Sequence, residues 1–332
     1  MTAAVVSLAP DSRFVLFRAP SATPADFADD VRSGMNATPK ALPPRWFYDA
    51  LGSSLFDAIC FLPEYYVMRA EAEILSAHQR EIARAFGPNV RLMELGSGTA
   101  RKTRILLDEL QPAEYVPVDV DASTLERTGR DLLGEYEHLR ILAVAADFTR
   151  PSVALNALTP HRGRTVVLFL GSTVGNLDPD AAVAMLSDLR SALSPGDALF
   201  LGADLRKSKS ILEPAYDDPL GVTAAFNLNV LARINRELGG HFDLAAFRHR
   251  AFYDEQHGRI EMHLVSTRAQ TVRIDALDLD VAFAKDETIH TESSYKHDEA
   301  TLTALAQASG FTIETKWTDA RSWFADVLMI AT

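Results

Sequence analysis

The segment Glu94-Leu95-Gly96-Ser97-Gly98 ends a short apolar run and opens a helical one, which is where an open parallel sheet receives a ligand. Gly96 and Gly98 lack a Cβ and tolerate positive φ, so the backbone there can approach a nucleotide-like ligand closely. Glu94 can accept hydrogen bonds from an amino group or fix the loop. Asp119 closes the run Tyr115-Val116-Pro117-Val118 and stands 23 residues after Gly96, near the spacing at which a carboxylate accepts from both ribose hydroxyls. Its neighbour Asp121 reads instead as the cap of the helix that Ser123 begins. Asp147-Phe148 ends a third run, where an acid and an aromatic can take an adenine amino group and ring face. Three loops therefore point at one edge.

The dinucleotide fingerprint Gly-x-Gly-x-x-Gly needs a third glycine for close helix packing, and Arg101 occupies that position. S-adenosylmethionine (SAM) has no pyrophosphate to bury, so the looser turn favours a methyltransferase over a nicotinamide dehydrogenase. Tyr295 and Lys296 adjoin and lack the three-residue gap of the short-chain dehydrogenase pair. The nine histidines form no His-x-x-x-His pair, with His249, His257 and His263 spread over different elements, so no metal is expected. Cys60 is the only cysteine, which excludes an intrachain disulfide and reads as a small buried apolar residue. No nucleophile elbow, P-loop or kinase signature is present.

Acidic residues outnumber basic ones by 45 to 33, for a net charge of -12, and no long Lys or Arg run occurs, so nucleic acid is not an expected partner. Hydrophobic residues at 47% and charged residues at 23% are those of an ordered globular chain. No apolar segment reaches membrane-spanning length and Met1 to Pro10 lacks the pattern of a secretory signal. The expectation is a cytoplasmic monomer with no membrane partner.

The elements that must position these loops follow from periodicity. Helical patterns at Ala70 to Phe86, Arg101 to Leu110, Ser123 to Tyr136 and Ala181 to Leu193 alternate with apolar runs at Val90 to Leu95, Tyr115 to Val118, Ile141 to Val144, Thr165 to Leu170 and Ala198 to Leu201. That alternation implies an α/β fold, a Rossmann-like parallel sheet with helices on both faces. Between about Lys207 and Lys296 the pattern breaks: a helix over Ala224 to Leu238 gives way to alternating runs such as Arg259 to Val265, which read as antiparallel strands. A helix at Glu299 to Ala308 and strands at Phe311 to Trp317 and Asp326 to Ile330 then resume the first pattern, the last strand expected antiparallel. The division is 65–206 plus 297–332 for the SAM-binding domain and 20–64 plus 207–296 for an inserted α+β substrate-binding domain, expected to cap the cofactor edge. Residues 1–19 form a lead-in. The first forty residues, with Pro10, Pro20, Pro24 and Ser33-Gly34, read as extended chain with one short helix. The aromatics Trp46, Phe47, Tyr48, Phe56, Phe61, Tyr65 and Tyr66 read mainly as core packing.

Several motifs then occur in one order: Leu42-Pro43-Pro44-Arg45-Trp46-Phe47-Tyr48-Asp49, Leu62-Pro63-Glu64-Tyr65-Tyr66, Glu94-Leu95-Gly96-Ser97-Gly98-Thr99, Phe169-Leu170-Gly171-Ser172-Thr173-Val174-Gly175-Asn176-Leu177, Ala215-Tyr216-Asp217-Asp218-Pro219 and Thr291-Glu292-Ser293-Ser294-Tyr295-Lys296. From about Pro43 to the C-terminus the chain resembles the histidine-specific Nα-methyltransferase family of ergothioneine biosynthesis, whose class I SAM-dependent members trimethylate histidine to hercynine. The resemblance implies that Gly96, Lys102, Asp119, Asp147 and Phe148 hold SAM as co-substrate. It implies that Tyr65, Asn176 and Tyr216 hold the carboxylate and amine end of L-histidine, that Glu292 and Ser294 read the imidazole, that Met262 lines the ring pocket and that Tyr48 lies near the amine.

A neutral imidazole has one N–H donor and one acceptor, which a carboxylate and a hydroxyl on opposite sides can recognise. Two apart on a strand, Glu292 and Ser294 would share a face, and Ser293 would point away and enter only through its backbone. No dedicated base is evident; Tyr48 or solvent is the expected route for the amine proton. Two other readings stay open: an Nα-methyltransferase of another free amino acid such as tryptophan or tyrosine, and a SAM-binding protein without turnover.

Overall fold

Strands written as unbroken apolar runs are buried on both faces, and that is how the centre of the main sheet is built. Every residue of Arg91–Leu95, Thr165–Phe169 and Ala198–Asp204 is buried. A computed structural model describes residues 4–7, 13–18, 24–158 and 161–332. The described chain divides into two units: Arg69–Leu205 and His297–Thr332 with the N-terminal strands, and the residues from 24 to Met68 with Arg206–Lys296.

The first unit is a nine-stranded sheet in the order Ala4–Ser7, Phe14–Arg18, Arg140–Ala145, Glu114–Asp119, Arg91–Leu95, Thr165–Phe169, Ala198–Asp204, Phe324–Ala331, Phe311–Thr318. The six strands from Phe14–Arg18 to Ala198–Asp204 are mutually parallel. Phe324–Ala331 is antiparallel to both of its neighbours. The Rossmann-like class I arrangement and its late antiparallel strand therefore stand as expected. Each fully buried Val, Leu or Phe here contributes about 1.5–3 kcal/mol, and Val116, Val167 and Leu199 are fully buried. Helix boundaries follow local chemistry. Asp121 caps Ala122–Glu135 by accepting the Ser123 N–H at 2.9 Å, and Asp298 with Thr301 forms a reciprocal cap on Glu299–Ala308.

The N-terminal reading needs correction. Ala4–Ser7 and Phe14–Arg18 are strands, the second paired in parallel with Arg140–Ala145, and Pro24–Asn36 is a helix of 13 residues. Phe14 and Leu16 alternate into the core over only five residues, a period-two signal too short to stand out. Gly129, inside a helix, makes room for Phe14: a Cβ there would lie 2.2 Å from the Phe14 ring. Pro10 and Pro20 lie outside the described residues.

The second unit holds a four-stranded sheet in the order Lys40–Ala41, Thr288–Tyr295, Arg259–Ser266, Phe247–Asp254, and a hairpin of Gln270–Ile274 with Leu279–Phe283. Helix Val222–Leu238 packs on Phe247–Asp254 and on helix Ala50–Ile59. Asp49 caps the latter, accepting from the Gly52 N–H at 2.6 Å and from Asn229 at 2.9 Å. Of the aromatic segment, Trp46, Phe47, Tyr65 and Tyr66 are buried, whereas Phe61 is exposed. Among the described residues no helix is long and apolar enough to cross a membrane.

Candidate functional site

In the first unit, the turn after Arg91–Leu95 bends through Gly96 at φ 69° and Gly98 at φ 47°. A Cβ on Gly98 would meet nothing within 4 Å, and one on Gly96 would meet only the Phe148 ring, at 3.7 Å. The turn thus leaves an uncovered backbone beside an aromatic face, as a purine nucleoside requires. Asp119 is adjacent. Its Oδ2 accepts the Gly98 N–H at 2.9 Å and its Oδ1 accepts the Asp121 N–H at 3.1 Å, while burial raises its pKa from the ordinary aspartate value. Asp147, at the end of the next strand, accepts from the N–H and hydroxyl of Thr149 at 2.9 and 2.7 Å. Glu94 is buried and accepts from the Tyr115 hydroxyl of the neighbouring strand, and burial lifts its pKa to about 7. The structure brings Gly96, Asp119 and Phe148 together at the carboxyl edge of adjacent strands.

Lys102 has an additional partner. Its ammonium pairs with Glu71, a fully buried residue whose carboxylate also accepts the Gly171 N–H at 2.8 Å. Glu71 thereby ties the segment after the glycine turn to the segment from Gly171 to Asn176, in which Gly171 and Ser172 both adopt positive φ and Thr173–Asn176 forms a 3-10 turn. Gly202 is what lets Glu71 in, since a Cβ there would lie 2.1 Å from its Oε1. Asp326, paired in register with Gly202, is fully buried with neither carboxylate oxygen hydrogen-bonded among the described residues. Burial, and then Glu71, push its pKa far up.

In the second unit, Glu292 pairs directly with Met262 and Ser294 with Ile260 across an antiparallel ladder. Directly opposed residues share a face, so Glu292, Met262 and Ser294 line the same side. The register is unbroken from Arg259–Tyr295 to Met262–Glu292 and slips only beyond it, between Met262 and His263, leaving Thr291 as the extra residue, its hydroxyl bonded to the Met262 carbonyl at 3.0 Å. Ser293 pairs with Glu261 and its hydroxyl lies 3.0 Å from His290 Nε2, so its side chain is engaged on the other face. Glu292 is 7% exposed, and burial lifts its pKa to about 7 against the pull of the Lys296 charge.

Tyr216 and Ser294 hydroxyls lie 2.9 Å apart, and Tyr65 stacks edge-on to Tyr216 at 6.1 Å. Burial drives the Tyr65 phenol well above its usual pKa, reinforced by Tyr216, Cys60, Tyr48 and Glu292. Tyr48, Tyr65, Tyr216 and Glu292 are therefore neighbours. Tyr48 is 42% exposed and packs edge-on to Phe56 and Phe226, each at 5.7 Å. Asn176, grouped with Tyr65 and Tyr216 by the resemblance, belongs to the first unit.

Four participants escaped the sequence reading. Lys296 stands inside one of the ordered motifs with no task legible there; Glu71 and Asp326 lie in unremarkable helix and strand patterns. His249 is one of the histidines spread over different elements, with no role legible from the sequence. Its Nε2–H donates to the Tyr216 carbonyl at 2.8 Å and its Nδ1 accepts from Asn227 at 2.9 Å, a neutral tautomer consistent with the downward pKa shift that burial imposes. It holds the Tyr216 backbone.

A parallel sheet with one late antiparallel strand, and a glycine turn open beside an acid and an aromatic ring, define a SAM-dependent methyltransferase. Residues 27–331 match the family described as histidine-specific methyltransferase, SAM-dependent, and the chain belongs to that family. It is 49% identical to a histidine N-alpha-methyltransferase of Mycolicibacterium smegmatis over 294 residues, 87% of this chain and 90% of that one. A histidine N-alpha-methyltransferase of Mycobacterium tuberculosis is 48% identical over the same shares. Ergothioneine biosynthesis protein 1 of Schizosaccharomyces pombe is 28% identical over 83% of this chain and 37% of that protein.

Proposed function

We propose that the protein transfers three methyl groups from SAM to the α-amino nitrogen of L-histidine, giving hercynine as the first step of ergothioneine biosynthesis, and that it works as a cytoplasmic monomer without a metal. The observation that carries the substrate is the shared face of Glu292, Met262 and Ser294, where a buried carboxylate and a hydroxyl two residues apart suit the two nitrogens of a neutral imidazole. A site that pairs both nitrogens disfavours a ring that leaves either group unmet, by orders of magnitude.

Bound SAM would supply an electrophilic methyl group. Gly96, Asp119, Asp147, Phe148 and Lys102 would hold it, Asp119 through the ribose hydroxyls and Phe148 through the adenine face. Tyr65, Tyr216 and Asn176 would hold the amino-acid end. The attacking amine must shed a proton before each transfer; Tyr48, partly exposed among the aromatics, is the proposed route, and its neighbouring ring faces tolerate the growing quaternary charge. A pH profile of the first turnover unchanged in Tyr48→Phe would remove Tyr48 from that role.

Incubation with methyl-labelled SAM and each free amino acid, followed by mass spectrometry, tests the whole. Trimethylhistidine is the expected product. Label passing to tryptophan or tyrosine and not to histidine, or to nothing, overturns the proposal.

A further inference from the structure

Beside Ser294 lies a closed triangle of donors and acceptors. Lys296 is 2% exposed, and its ammonium stands 2.8 Å from the Tyr216 hydroxyl and 2.8 Å from the Ser294 hydroxyl. Those two oxygens are 2.9 Å apart. An ammonium only donates, so each hydroxyl oxygen accepts one bond from Lys296. The remaining side of the triangle holds one proton, which belongs either to the phenol or to the alcohol. A phenol is the stronger acid and the weaker base of the two, and a charged donor on its oxygen accentuates both properties. Tyr216 therefore donates to Ser294. Ser294 then has both lone pairs filled, and its own hydrogen is all that it can offer.

We propose that Lys296, acting with Tyr216, makes Ser294 an obligate hydrogen-bond donor and so selects a substrate ring that turns an unprotonated nitrogen toward Ser294. The inference deepens the proposed function and rests on it. Lys296 is a positioning residue, since it acts on the two hydroxyls. Glu292, on the same strand face, accepts from the ring N–H. A neutral imidazole meets both requirements in one orientation. A ring with N–H groups on both nitrogens sets one against the Ser294 hydrogen, and a ring with carbon in place of the acceptor nitrogen leaves that hydrogen without a partner.

The test compares kcat/KM for L-histidine with that for the two β-pyrrolylalanine isomers, each lacking one ring nitrogen, at saturating SAM. The quantity read is the loss for the better isomer relative to histidine within one protein, a ratio that a reduced active fraction leaves unchanged. The parent enzyme is expected to lose about 100-fold or more. In Lys296→Met the Ser294 lone pairs are released, its hydrogen can turn away, and the loss should shrink to about 10-fold or less. Tyr216→Phe frees one lone pair and should relax the ratio in the same direction, providing a second reading should Lys296→Met fold poorly. Lys296→Arg still only donates and should retain most of the parent ratio. A ratio unchanged from the parent in Lys296→Met or Tyr216→Phe overturns the inference alone. Absence of transfer to histidine in the parent enzyme overturns the proposed function, and the inference with it.

Discussion

Replacing Glu292 by Gln keeps the shape of the side chain and removes its charge, and the structure assigns that charge a cost. Burial raises the Glu292 pKa from 4.5 to about 7, a difference of about 2.5 units, worth about 3 kcal/mol at ~1.36 kcal/mol per unit. Between pH 4.5 and 7 the folded chain holds a proton that the unfolded chain has released, so stability falls as pH rises through that window. The penalty is under about 1 kcal/mol at pH 5 and reaches about 3 kcal/mol at pH 8. Gln does not ionise and escapes it. Glu292→Gln should therefore resemble the parent at pH 5 and be more stable at pH 8 by up to about 3 kcal/mol, read from denaturant unfolding of the ligand-free protein. Function should move the other way. A hydrogen bond to a charged acceptor is worth about 1.5–3 kcal/mol and a neutral one about 0.5–1.5, so the histidine KM should rise about 5- to 15-fold with the SAM KM unchanged. A histidine KM within about threefold of the parent, or equal stabilities at pH 8, would refute the reasoning.

Gly96→Ala should weaken S-adenosylhomocysteine binding about 5- to 30-fold by calorimetry, because its φ of 69° costs a side chain about 1–2 kcal/mol while the added Cβ meets no clash; a change under twofold would count against the turn as the cofactor's cradle. Asp119→Asn should raise the SAM KM about tenfold or more and leave the histidine KM within about twofold, since Asp119 sits at the glycine turn. Glu71→Gln leaves the Lys102 ammonium without its carboxylate in a buried setting, and should lower stability by about 3 kcal/mol. An unshifted melting temperature would show that the pair contributes nothing.

The sheet was readable because its strands and helices carry uninterrupted apolar periods, and the late antiparallel strand because Phe311 to Ile330 contains two such runs closed by a short turn. What escaped were short or two-sided patterns. Phe14–Arg18 offers two inward residues, and Gln270–Ile274 with Leu279–Phe283 is a hairpin whose alternation spans five residues a side. The glycine turn, Asp119 and Asp147-Phe148 were legible for a different reason: a parallel sheet delivers the end of every strand to the same edge, so order along the chain translates into adjacency.

The face of Glu292 was reached by simple alternation from Ser294, and that count is right between these two residues. It says nothing about the partner strand. The slip at Thr291 lies just beyond the Met262–Glu292 pair and sets which residues of Arg259–Ser266 the stretch from Thr288 to His290 meets, and a one-residue slip exchanges faces wholesale. A bulge has no marker in the sequence, because it is defined by the other strand. The same reason hides Lys296, Glu71 and His249, whose partners Tyr216, Gly171 and again Tyr216 stand 80, 100 and 33 residues away. Residues suited to touching a ligand announce themselves by type. Residues that aim them are ordinary until the fold supplies the other end of the bond, which is why Lys296 stood inside a legible motif without a legible task.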